Sequence, residues 1–145
     1  MCDPEDFSHL IDMTNTAHTR AKLAGVIAPI VTPFNAEGSL SLDGLAVLID
    51  FLVDEDVAGV VPGDLVGEFP ALSLAERRSL MEGSVKFARG RLDVIALVSH
   101  PNMETAIELA KFAESVGVSV IKLALPYSYA PSEPMILEYV RRVAG

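Results

Sequence analysis

Lys122 stands inside an otherwise apolar run, Ile121-Lys122-Leu123-Ala124-Leu125. A lysine amine taken out of water holds its proton less tightly and can then add to a carbonyl compound as a Schiff base. The same side chain can instead snorkel, laying its stem on apolar surface with the ammonium in water. The second reading needs no special environment and is preferred; Lys122 is kept as an alternative nucleophile. His100 follows Ser99 in Ser99-His100-Pro101-Asn102. Its imidazole could move protons near neutral pH. No carboxylate is fixed beside it by spacing, so a solvent-facing or capping role is expected. Glu68 follows Gly67 and is expected to hold its turn by accepting backbone N–H groups rather than to transfer protons. Gly63 and Gly67 do not form a phosphate loop, because the spacing is wrong and no Lys-Ser/Thr follows.

Other chemistry is poorly represented. His9, His18 and His100 share no short ligand spacing, so no metal site is expected. Cys2 is the only cysteine and cannot form an internal disulfide. Asp43, Glu76 and Glu104 fall at the starts of helical stretches, where negative charge suits the helix dipole. Lysine plus arginine number 11 against 20 aspartates and glutamates, a net charge of −9. That balance disfavours nucleic acid, whose backbone is bound through positive charge. The amino terminus, MCDPEDFSH, is acidic and unlike a signal peptide. No apolar run approaches the roughly 20 residues of a membrane span. A soluble cytoplasmic protein with no membrane or nucleic-acid partner and no cofactor is expected.

The elements that must position these residues repeat along the chain. Residues 57–70, VAGVVPGDLVGEFP, set the pattern: a short apolar strand, a Pro-Gly-Asp stop, a turn, and a helix start near Ser73. Strands are expected over residues 25–32, 57–61, 92–98 and 118–125, mostly apolar as in parallel sheets covered by helices. Pro29 cannot donate to a ladder and argues for an edge position. Helices are expected to start at Ser41, Ser73, after Asn102 and at Ser132. Leu45, Leu48, Ile49 and Leu52 keep the 3.6-residue period in the first. Ser73 and Glu76 form a capping-box pattern in the second. Ile107, Ala110 and Ala113, with Leu109 beside them, should line the inner face of the third. Gly90 and Gly117 should end the second and third. Residues 1–22 form an arm or a short helix; residues 23–145 form four strand–helix units. Such units make either a small open sheet or half of an eight-stranded barrel.

Residues 25–144 resemble the N-terminal half of the dihydrodipicolinate synthase and N-acetylneuraminate lyase family. The stretches that carry the resemblance are GVIAPIVTPFNAEGSL, VAGVVPG, VGEFPALSLAERRSL, ETAIELAKFAESVG and Pro126-Tyr127. The resemblance implies an α/β fold, half of a (β/α)8 TIM barrel. It implies class I aldolase or lyase ancestry, with pyruvate or a related keto acid held as a Schiff base on a lysine of the sixth strand. A tyrosine of the fifth strand handles protons, and members are often dimers or tetramers.

Against that pattern the turn after the second strand departs. The family carries a glycine, two hydroxyl residues and Gly-Glu; here the places read Asp64, Leu65, Val66, Gly67 and Glu68. Leucine and valine lack the donors that a bound carboxylate needs. Tyr127 matches the first tyrosine of the fourth-strand turn, but Ser128 stands where a second is usual. Leu97 and Met103 are bulky where the family is small. The strands bearing the lysine and the proton-handling tyrosine are not in this sequence, and the family's lysine lends no support to Lys122. The expectation is therefore a non-catalytic, engineered or degenerate half-barrel, a folding or assembly unit with no catalytic residue. Its bulky residues should fill space near the former site, and two copies around a two-fold axis should close one barrel. Alternatives are a Schiff-base lyase or aldolase of the family, through Lys122 or with its other half, and a small-molecule binding module.

Overall fold

A computed structural model describes residues 23–118, 120–125 and 130–145. The expected arm over residues 1–22, Tyr127 and Ser128 lie outside the described residues. The elements run β1 (Ile27–Pro29), α1 (Leu42–Asp54), β2 (Gly59–Val61), a 3-10 turn (Phe69–Ala71), α2 (Leu74–Ala88), β3 (Asp93–Leu97), α3 (Met103–Ser115), β4 (Val120–Lys122) and α4 (Glu133–Ala144).

Each helix starts where its sequence offers a backbone acceptor or a fixed φ. Ser41 accepts from Gly44 N–H at the head of α1. Ser73 and Glu76 close a reciprocal capping box at the head of α2. Asn102 accepts from Thr105 N–H at the head of α3. Ser132 precedes α4, whose first turn contains Pro134. Arg89 and Gly90 take positive φ at the end of α2, and Gly117 does so after α3.

The four strands are parallel, in the order β1-β2-β3-β4. Ile27 pairs with Gly59, Val60 with Val94, and Leu97 with Lys122. The order never reverses, unlike a doubly wound sheet. All four helices lie on one face. Leu45 and Ile49 of α1, Leu80 and Met81 of α2, Ala106 and Leu109 of α3, and Tyr139 and Val143 of α4 share one core with Val60, Val94 and Ala96. Burying each leucine or isoleucine here contributes about 2 kcal/mol. The alternate strand residues, Val61, Ile95, Leu97 and Val120, form a second cluster on the opposite face with Phe69.

Two sequence readings are corrected. The strands are shorter than their apolar runs, because the ladders span only Ile27–Pro29, Gly59–Val61, Asp93–Leu97 and Val120–Lys122. The buried line of α3 runs through Ala106, Leu109 and Ala113; Ile107 and Ala110 are only partly buried. Among the described residues, β1 and β4 are the two edges of the sheet. Gly59 N–H donates to Val26 O and Ile30 N–H to Val61 O. Those bonds turn the even positions of β1 toward β2 and leave Pro29 on the free side, without an N–H to offer.

Candidate functional site

The carboxyl ends of the strands bring the candidate residues to one rim. β2 ends in the turn 62–68, whose second residue, Gly63, stands at φ +59°. Asp64 O accepts from Phe69 N–H, and Leu65 O from Glu68 N–H. Thr32, following β1, ties the turn down by donating its hydroxyl to Gly67 O at 2.7 Å. A Cβ on Gly67 would stand 2.8 Å from Ile30 O, so this close approach requires glycine.

Within that turn the side chains divide sharply. Asp64 is buried. Its Oδ2 accepts from Lys122 Nζ at 2.6 Å, across the end of the sheet. Lys122 is half-exposed, its stem on the face of β4 that also carries Val120. Leu65 and Val66 point away from the protein, 75% and 54% exposed. The expectation that they fill vacated space is therefore not met within one chain, because the turn faces them outward. Leu97, by contrast, is fully buried, and Met103 packs against the core. Glu68 sits at φ +56° with its side chain exposed; it serves the turn through its carbonyl, which accepts from Ala71 N–H.

Behind the rim, Arg77 of α2 is buried and donates to Leu97 O at 2.7 Å and to Ser99 O at 3.1 Å. Its guanidinium lies over the Phe69 ring, 5.5 Å from the centroid. Ser99 Oγ accepts from Ala124 N–H at 2.6 Å, which joins the ends of β3 and β4. Tyr139 of α4 donates its hydroxyl to His100 O at 2.9 Å. His100 Nδ1 accepts from Asn102 N–H at 3.0 Å, so it holds the residue that caps α3 and does not itself cap the helix.

The rim therefore joins Asp64 to Lys122, while His100 is turned to the α3 cap. A lysine present as an ammonium must first give up a proton before it can add to a carbonyl carbon. Sequence reasoning missed Asp64 and Arg77. Asp64 was singled out only as a strand stop and as the residue at the family's glycine place in the turn, and Arg77 only within the stretch VGEFPALSLAERRSL. Among the described residues, no group of three or more His, Cys, Asp or Glu could hold a metal ion. No described helix is long and apolar enough to cross a membrane.

Comparison with known proteins agrees with this architecture. The family model described as the Dihydrodipicolinate synthetase family matches residues 22–145. A 4-hydroxy-tetrahydrodipicolinate synthase of Methanococcus maripaludis strain C5 is 34% identical over 123 residues, covering 85% of this chain and 42% of its own. The Brucella abortus protein of the same name is 34% identical over 122 residues, covering 84% and 42%. A crystal structure of dihydrodipicolinate synthase from Aquifex aeolicus superposes with a TM-score of 0.80 at 31% identity, covering 83% of this chain and 41% of that one. The chain thus spans about two-fifths of the length of these relatives. Its fold is half of a (β/α)8 barrel of this type.

Proposed function

Because the chain belongs to the dihydrodipicolinate synthetase family, we propose that it is a barrel-half assembly unit that does not itself form the family's keto-acid Schiff base. The observation that carries this reading is the rim after β2. The places of the family's hydroxyl pair hold Leu65 and Val66, both exposed and without donors for a carboxylate. Among the described residues, the amine at that rim, Lys122, pairs with Asp64. Residues 23–145 act as the unit, and Gly67, Glu68, Tyr127 and Ser128 are positions inherited from the family motif rather than working groups. Self-association and a soluble, cytoplasmic setting complete the reading, supported by the acidic charge and by two open sheet edges.

The test is reductive trapping. The chain is incubated with pyruvate and borohydride, and its mass is read before and after digestion. No adduct is expected. An adduct on Lys122 would overturn the reading in favour of a recruited-lysine lyase, the second reading that the amine's place at the strand ends favours.

A further inference from the structure

Among the described residues, every helix lies on one face of the sheet. The other face, the inner one of the half-barrel, carries Val61, Ile95, Leu97 and Val120. A sheet face with no layer over it stands in water, and its apolar side chains are then largely exposed. These four are not. Leu97 is 1% exposed, Val61 and Ile95 are 4%, and Val120 is 8%. The described side chains packed with them are Phe69, from the 3-10 turn after β2, and Ile27, on the edge strand β1. Four strands about 4.8 Å apart span about 14 Å, more than two side chains can roof. Residues 126–129 are tied at both ends, to β4 and to α4, and stay beyond the edge far from β2. The inner face is thus closed within the 145 residues of this chain, not left open where its sequence stops.

Residues 1–22 have the sequence of such a cover. Phe7, Leu10, Ile11, Thr14, Ala17 and Ala21 fall at i, i+3, i+4, i+7, i+10 and i+14, one stripe of a helix. His9, Asp12, Thr16 and Thr19 fall on the opposite side. Asp3-Pro4-Glu5-Asp6 is a helix start: a capping residue, a proline of fixed φ and an acidic first turn. A helix over residues 4–21 would be about 27 Å long at 1.5 Å per residue. That exceeds the roughly 17 Å of a five-residue strand such as β3. At its far end Gly25 takes φ +97°, and a Cβ there would stand 2.8 Å from Ala58 Cβ. The chain therefore enters at the amino end of β1 and β2, from which a preceding helix can turn back over the inner face. The family match begins at residue 22, so this segment is not part of the shared barrel.

We propose that residues 1–22 lie across the inner face of the half-barrel in their own chain, with Phe7, Leu10 and Ile11 seated on Val61, Ile95 and Leu97. The segment takes the place of the opposite wall in a whole barrel. It bars two copies from closing one barrel through this face and leaves contact between copies to the sheet edges. The assignment stands whether or not the chain forms an adduct with pyruvate.

Nuclear Overhauser contacts in the full chain, labelled at its methyl groups, test this directly. The Phe7 ring and the Leu10 and Ile11 methyls should contact the methyls of Ile95 and Leu97. Absence of these contacts overturns the proposal. So does their appearance between labelled and unlabelled chains in a mixed sample, which would place the segment on a second copy. Two variants give an independent readout. Leu10→Asp should speed amide exchange at Ile95 and Leu97 by about tenfold or more, and Thr16→Asp, on the outer side, should leave it unchanged. Equal effects of the two, or none from Leu10→Asp, overturn the proposal. If Leu10→Asp fails to fold, the contacts in the unsubstituted chain decide.

Discussion

Fifty-eight positions separate Asp64 from Lys122, yet their side chains meet at 2.6 Å. A buried carboxylate is stable only with charge-matched partners, so the pair is structural before it is anything else. Lys122→Met should destabilise the fold by about 1–3 kcal/mol, less than a fully buried pair because the amine is half in water. The double variant Asp64→Leu/Lys122→Met should recover part of that loss; urea titration of the three variants measures both. Arg77 presents a different demand. Its fork serves two carbonyls at once, Leu97 O and Ser99 O, and a lysine's single ammonium cannot reproduce that geometry. Arg77→Lys should cost about 1–3 kcal/mol in the same titration, the penalty of a buried carbonyl left unpaired. Lys122 was visible in the sequence as a charge in an apolar run. Its partner was not, because no local pattern links the end of β2 to the end of β4. The one available signal was alternation: Lys122 stands two places after Val120, which puts both on one face of the strand.

Helix boundaries were the most readable elements, since each depends on a few neighbouring residues. Ser41, Ser73 with Glu76, and Asn102 all cap as their spacing suggests. Asn102→Ala should lower stability by about 1 kcal/mol, and Asn102→Gly by only a few tenths, read from urea midpoints. The Ser73 hydroxyl bond, followed by the Ser73 backbone N–H bond, holds the Glu76 carboxyl below its ordinary range. A carboxyl with a lowered folded pKa contributes stability that is present above its unfolded value and is lost as pH falls through the folded one. Ser73→Ala should therefore return Glu76 toward an ordinary carboxyl, seen by NMR titration, and flatten that acid-side loss. Strand ends were less readable, because an apolar run continues beyond the residues that its neighbour's register can pair. The inner line of α3 was misread by one position of the helical period. Ile107 suggests an inward residue by hydrophobicity, but Ala106 and Leu109 occupy the core.

At the scale of the whole molecule, β2 and β3 have a strand neighbour on each side, whereas β1 and β4 have one among the described residues. Amide exchange should accordingly be slowest in Val60, Val61 and residues 94–97, and faster in Ile27 and Val120. Raising the chain concentration should slow exchange in β1 and β4 selectively if the flanks are covered by a second copy, and leave all four strands unchanged if they are not. The four-unit architecture was legible because each unit repeats the same local grammar of strand, stop and cap. The exposure of Val47 and Phe51 on α1 was not legible, because the helical period marks only the inward line of Leu45, Leu48, Ile49 and Leu52. Pro29 has a further consequence. It removes a backbone donor from the free side of β1 in every copy. A fibre grows by stacking unbroken backbone ladders without limit, and this edge cannot template one. The proline thus acts as a chain terminator for polymerisation at this edge of the sheet.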